Sequence, residues 1–260
     1  MPDLFLHIPK TGGTTFNTAL KWVYGPKNCH TIREDRAMNP ERWFEATSRA
    51  ELENFSLVSG HFPFGLGDYL KTGHRYFTIL RDPVPRTISR YYQWKLGYPK
   101  SKAAQMSLAT FGESRQCNLQ TGMISGKDVS KDPNQALHLA KKRLLEDFAA
   151  FGITERYDES LILIRRNMGW TKLPFYVRGK QTKGKRPGLS EISASTIETI
   201  RAANALDVKL YKFATEHFDA MYRSESGIEK EVQKFKRWNA IIERVAPYPL
   251  KLYRTVRSYL

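Results

Sequence analysis

One stretch near the amino terminus decides most of what this chain can fold into. Leu4-Phe5-Leu6 is a short apolar run that breaks at once into HIPKTGGTTF, His7 to Phe16. The following TTFNTALKWVY spaces Phe16, Leu20 and Val23 or Tyr24 along one helical face. A strand that turns through glycine into a helix aims backbone N–H groups and a helix dipole at one point, and that point attracts an anion. Gly12 and Gly13 permit close backbone approach. Thr11, Thr14 and Thr15 add hydroxyls, and Lys10 adds a charge from the strand side. A nucleotide-hydrolysing P-loop reads G-x-x-x-x-G-K-[ST], with its lysine after the glycines. Here Lys10 precedes them.

The unit repeats along the chain. FSLVSGHF reads as a buried strand stopping at Gly60, and HRYFTILRD as a third. DPVPRTISRYYQWKLG then starts a helix with Asp82 as N-cap and Pro83 at the first helical position; Gly97 and Pro99 end it. NPERWFEATSRAELE reads as helix, and residues 100–135 as polar and loop-rich. Further on come a helix (NQALHLAKKRLLEDF), a strand (AAFGIT), a short helix (YDESLILIRRNMGW) and two longer ones, LSEISASTIETIRAAN and ALDVKLYKFATEHFDAMYR. Strand–loop–helix in repetition predicts an α/β fold on a parallel sheet. The boundaries predict one domain over residues 1–225 and a basic helical extension over 226–260.

The formal net charge is +16. That balance favours polyanionic partners: nucleic acid, acidic glycans, anionic lipid or a phosphorylated small ligand. Residues 165–186 hold eight Arg or Lys and no acid, and the tail from Lys230 holds eight basic and two acidic residues. Cys29 and Cys117 lack metal-site or disulfide-framework spacing and read as two free thiols. No signal peptide or membrane span is visible, which predicts a cytoplasmic enzyme.

ILRDPVPRTISRYY offers a second anion site. Asp82 could end a Walker B strand, but a helix N-cap explains it without a metal. Arg81 stands at the carboxyl end of its strand, where α/β folds bind ligands. Arg86, Ser89 and Arg90 share a helix face by spacing. Arg81 and Ser89 can converge on an anion, one as a charged fork and the other as a hydroxyl.

Taken in order, HIPKTGGTTF, GHFPFG and ILRDPVPRTISRYY resemble the sulfotransferase superfamily, in particular its carbohydrate branch that includes heparan sulfate 2-O-sulfotransferases. NLQTGMISG, FGITERYDESL and NALDVKLYKFA are similar to further segments, so the resemblance covers most of residues 4–222. It implies a three-layer fold like that of P-loop NTPases, with a central parallel sheet flanked by helices. The implied donor is 3′-phosphoadenosine 5′-phosphosulfate, whose sulfuryl group passes to an acceptor hydroxyl. Lys10 then corresponds to the lysine on the 5′-phosphate and bridging oxygen. Thr11, Gly12, Gly13, Thr14 and Thr15 match the 5′-phosphate loop, and Arg81 and Ser89 the 3′-phosphate pair. Thr182 and Lys183 fall in GKQTKGKRPG, which resembles a segment closing over the nucleotide. His61, in a Gly-His step, corresponds to the general base; an imidazole titrating near working pH suits that task. His7 reads as a packing residue, and His30, His74, His138 and His217 as surface or structural. In-line sulfuryl transfer resembles phosphoryl transfer in needing position and charge. The sulfonate carries less charge than a terminal phosphate, so no metal is expected.

QCNLQTG resembles a segment near the active cleft, which makes Asn118, Gln120 and Thr121 candidates for contact with a carbohydrate or glycoconjugate acceptor. The basic stretch 165–186 is expected to serve the donor in part. The tail reads as an ordinary basic helix, with peripheral contact to an anionic membrane as the alternative. Two other functions fit the charge: a P-loop kinase of a small molecule, against which the lysine position stands, and a nucleic-acid-binding protein, for which no recognised motif is present. Nucleic acid is therefore not an expected partner.

Overall fold

The computed structural model describes residues 1–33, 37–114, 117–178 and 187–245. Thr182, Lys183 and the end of the tail lie outside the described residues. Five parallel strands form the sheet: β1 (Asp3–Leu6), β2 (Cys29–Thr31), β3 (Leu57–Gly60), β4 (Arg75–Leu80) and β5 (Phe148–Ile153), in the order β2-β3-β1-β4-β5. Helices flank it, as expected. β1 pairs with β3 from Asp3↔Leu57 to Leu6↔Gly60 and with β4 from Asp3↔Arg75 to Leu6↔Thr78. Every residue of β1 and β3 is buried, which is the pattern of a parallel sheet covered on both faces. The chain winds outward from β1 to β2, returns to β3, and crosses to β4. That reversal opens a crevice at the carboxyl ends beside β1.

The first helix, α1 (Gly13–Tyr24), is fixed at both ends. Phe16 sets its edge on Phe5 and Phe77 at ring distances of 4.9 and 6.0 Å, and Phe5 stacks on Phe77 at 5.1 Å. Burial of each such ring contributes about 1.5–3 kcal/mol. At the far end the Tyr24 hydroxyl donates to Asp3 Oδ2 (2.6 Å) and accepts from Trp170 Nε1 (2.8 Å). Arg75 donates to both Asp3 oxygens, at 2.8 and 2.9 Å.

The next long helices are α2 (Pro83–Gly97), α3 (Leu119–Ser125), α4 (Pro133–Glu146), α5 (Tyr157–Met168), α6 (Ala194–Ala203), α7 (Ala205–Ser224) and α8 (Ile228–Val245). Asp82 caps α2 as predicted, accepting from Val84 N at 2.9 Å. Two expectations change, and one strand is added. NPERWFEATSRAELE is broken, because Ser48 and Glu51 build a capping box that starts a new turn at Arg49–Leu52. LSEISASTIETIRAAN is likewise split by the Ser193 cap. The three-residue strand β2 carries no alternation, and the residues around it gave no sign of it. Cys29 and Cys117 are free thiols. The described part of the tail, α8, buries Ile228, Val232, Phe235 and Ile242 in the main core.

Candidate active site

Four strand ends meet in the crevice. β1 delivers His7–Gly12, β3 delivers His61, β4 delivers Arg81 and β5 delivers Thr154. The loop after β1 holds two left-handed residues, Lys10 at φ 72° and Gly12 at φ 86°. A lysine there is strained, and it persists because its surroundings over-determine it. Arg81 Nη1 donates to the Lys10 carbonyl at 2.9 Å. Thr11 Oγ1 donates to Ile8 O at 2.9 Å. The Thr154 hydroxyl reaches Thr11 O (3.0 Å) and Leu80 O (2.9 Å), tying β1 to β4 and β5. Tyr157 lies over Gly12, where an added Cβ would come within 3.1 Å of its ring.

Gly13 is more tightly constrained: a Cβ there would sit 1.7 Å from His7 Nε2. His7 therefore packs beneath the helix start, stacked on Phe5 at 5.3 Å. Burial, then the charges of His61 and Lys10, push its pKa down to about 3. Helix α1 begins with no side-chain cap and no acid in its first turn. Its leading N–H groups and positive dipole end thus face the crevice uncompensated.

His61 is half-buried beside His7, with ring centroids 4.3 Å apart. Its Nδ1 lies 2.6 Å from the His7 carbonyl. A carbonyl only accepts, so Nδ1 carries the proton and the neutral ring has its lone pair on Nε2. The structure thus brings Lys10, Thr11, Gly12, Gly13, Thr14, Thr15, His61 and Arg81 to one end of the sheet. Ser89 sits on α2, 7% exposed.

Arg81 owes its position to Gln120 and Glu155. Gln120 accepts from Arg81 N (3.0 Å) and donates to Arg81 O (2.8 Å). Glu155 Oε1 stands 3.8 Å from Arg81 Nε. Gln120 and Thr121 are fully buried, and Thr121 gives both its amide and its hydroxyl to Asp207 Oδ1 at 2.8 Å. Asn118 donates to Ala203 O at 3.2 Å and accepts from Leu206 N at 2.9 Å. In the structure these three residues tie α3 to α6, α7 and the end of β4. Arg86, grouped with Ser89 by spacing, is also internal. It is fully buried with Nη2 3.8 Å from Asp207 Oδ2, and burial lowers its pKa. Part of the basic stretch is spent as well: Arg165 pairs with Glu231, and Arg166 with Glu231 and Glu225, both at 2.8 Å. The contributions of Thr154, Glu155 and Tyr157 were missed; their only sequence signal was the family-like FGITERYDESL.

A cavity of about 610 Å³ opens beside the loop, lined by Gly12, Thr15, Thr154, Tyr157 and Tyr176 among others. An uncapped helix start, a glycine turn, the neighbouring Lys10 and Arg81 and an adjoining aromatic-walled cavity make this the candidate anion-binding site of an α/β protein. Among the described residues no cluster of His, Cys, Asp or Glu could hold a metal ion.

Comparison with known proteins gives that class its family. Residues 4–214 match the sulfotransferase family, and the chain belongs to it. It is an enzyme, a sulfotransferase, and the family implies 3′-phosphoadenosine 5′-phosphosulfate as donor. Similar proteins include heparan-sulfate 6-O-sulfotransferase 1 of Cricetulus griseus, 28% identical over 89% of this chain and 70% of the relative. The Homo sapiens enzyme of the same name is also 28% identical, over 89% of this chain and 69% of its own. Galactose-3-O-sulfotransferase 2 of Homo sapiens is 28% identical over 71% of this chain and 51% of its own. The kinase and nucleic-acid alternatives give way to the family assignment.

The cytoplasmic expectation is corrected by the same relatives. Carbohydrate sulfotransferases of these kinds belong to the Golgi lumen rather than the cytoplasm. The expectation had rested on a missing leader and span, and such an absence fixes no compartment. No described helix is long and apolar enough to cross a membrane.

Two measurements check this arrangement. Asp207→Ala leaves Arg86 as an uncompensated buried cation, so urea unfolding is expected to show a loss of about 3–5 kcal/mol. The double variant Arg86→Met/Asp207→Leu is expected to recover only the part due to the stranded cation, because the buried donors of Gln120 and Thr121 still lose their acceptor. Folded His7 stays neutral down to about pH 3, whereas its imidazole in the unfolded chain protonates near 6.5. The unfolded state therefore binds one more proton in that window, and stability falls as pH drops through it, by up to about 1.4 kcal/mol per unit. Wild-type protein should lose this increment on acidification below pH 6.5, and His7→Gln should not.

Proposed function

We propose that this sulfotransferase transfers a sulfuryl group to a carbohydrate hydroxyl, with His61 as general base and Lys10 on the leaving group. The observation that carries the reading is the hydrogen bond from His61 Nδ1 to the His7 carbonyl, 2.6 Å long, because it orients the basic Nε2. The donor's 5′-phosphosulfate lies on the loop Lys10–Thr15, held by the first N–H groups of α1 and the threonine hydroxyls. Arg81 and Ser89 take the 3′-phosphate.

The acceptor hydroxyl gives its proton to His61 Nε2 as its oxygen bonds to sulfur. The bond from sulfur to the bridging oxygen breaks in line. Negative charge then gathers on the 5′-phosphate, where Lys10 and the helix terminus stabilise it in a site that needs no reorganisation. His61 ends as imidazolium and later returns its proton to solvent. The sulfotransferases named above, acting by name on heparan sulfate and galactose, support a glycan acceptor. So does the motif likeness to the 2-O-sulfating branch, and the position sulfated is read from the product.

Adenosine 3′,5′-bisphosphate should raise the melting temperature, by the equivalent of about 2.7 kcal/mol at a hundredfold excess over Kd; a shift with ATP and none with the bisphosphate would sink the donor assignment. His61→Ala should bind the bisphosphate as wild type does while transfer from labelled donor to a glycan panel falls by about 10²–10⁴-fold. Undiminished turnover would remove His61 from the mechanism.

A further inference from the structure

The carboxyl-terminal helix α8 lies beyond the residues that match the family, which end at 214. It nevertheless reaches the donor cavity. Lys236 lines that cavity together with Gly12, Thr15, Tyr157, Tyr176 and Arg178. One helical turn on, buried Asn239 accepts from the Tyr176 amide at 2.9 Å. Another turn on, Glu243 accepts from the Arg178 amide at 2.9 Å. The 3.6-residue period of the helix thus places Lys236, Asn239 and Glu243 on one stripe, all three facing the segment that carries Tyr176 and Arg178.

The contact continues inward to the loop. Phe235 packs on Phe175 at 5.7 Å and on Tyr176 at 6.3 Å. Tyr176 meets Tyr157 edge-on at 5.1 Å, and the Tyr157 hydroxyl lies 3.4 Å from Gly12 O. An unbroken path of packed groups therefore runs from α8 to the glycine on which the anion loop turns. The charges lining the cavity balance, with Glu155, Asp158 and Glu159 against Arg156, Arg178 and Lys236. Three carboxylates line it, and each has partners inside the protein. Asp158 accepts from Tyr176 Oη at 2.7 Å, Glu155 from Tyr211 Oη at 2.9 Å, and Glu159 pairs with Arg156. Lys236 is exposed to the cavity opening, where a phosphorylated nucleoside would meet it.

We propose that α8 is a working part of the donor site. Lys236 supplies a cation to the bound phosphoadenosine, and Asn239 seats Tyr176 as the wall against which the nucleoside rests. This rests on the assignment of the cavity to the donor. The helix would therefore contribute to nucleotide affinity from outside the family's matched region.

The test is calorimetric titration of adenosine 3′,5′-bisphosphate into the full chain, as wild type, Lys236→Glu and Lys234→Glu. Lys234 sits on the same helix but lines the neighbouring groove with Lys230, Arg237 and Trp238. Both lysines are exposed, so neither variant threatens the fold. Lys236→Glu is expected to weaken binding about tenfold, with the difference narrowing as salt rises. Lys234→Glu is expected to stay within about twofold of wild type. Equal affinity of Lys236→Glu and wild type overturns the role of α8. Equal loss in both variants also overturns it, since that is the protein's overall field rather than a site contact. Wild-type protein that fails to bind the bisphosphate sinks the donor assignment itself, and is thereby distinguished from failure of the helix alone.

Discussion

The site depends on one hydrogen bond between two strand ends, from the Arg81 guanidinium to the Lys10 carbonyl. That bond holds a lysine in the left-handed region, where a side chain is disfavoured. With Lys10 so turned, the chain can reach Gly12 and start α1 with its N–H groups aimed into the crevice. The same bond sets Arg81 beside Lys10 where their two neighbouring strands end. The separation of the two residues is thereby built into the sheet, since β1 and β4 are neighbours and their register is fixed by ladder pairing.

Much of the surrounding polar structure serves to keep Arg81 where it is. Gln120 clamps its backbone from both sides, and Gln120 N in turn donates to Asp207 Oδ2 at 3.1 Å. Asp207 stands beside buried Arg86 and receives Thr121. Such a buried network is costly unless every member is satisfied, and here each carboxylate oxygen of Asp207 has an amide donor. The histidines divide the remaining work. His7, neutral and buried, fills the space that Gly13 leaves, and its backbone carbonyl orients His61. One histidine thus packs while the next stands half-buried at the end of β3.

The parallel sheet was legible because each strand-to-helix step announces itself locally: apolar run, turn residue, cap. Lys10, the glycines, Arg81 and His61 were legible for the same reason, each lying just past a strand end. The internal bonds of Asn118, Gln120 and Thr121 were not legible, because amide and hydroxyl side chains suit a sugar and a buried carboxylate equally well. Only Asp207, nearly ninety positions away in the chain, decides between those uses. The ion pairs of Arg165 and Arg166 were hidden in a like way, since a run of cations does not reveal that Glu231 and Glu225 will meet it.

What the sequence determined by itself was the local chemistry: an anion loop with its lysine ahead of the glycines, a second cation at a strand end, a histidine after Gly60. These depend on neighbours within a few residues, and short-range sterics and capping write them directly into the order of the chain. What only the tertiary structure decided was which polar groups face the crevice and which face one another. It also brought α8, last among the described elements, beside the first loop. Those outcomes depend on strand order and helix packing, which join residues that have no relation along the chain.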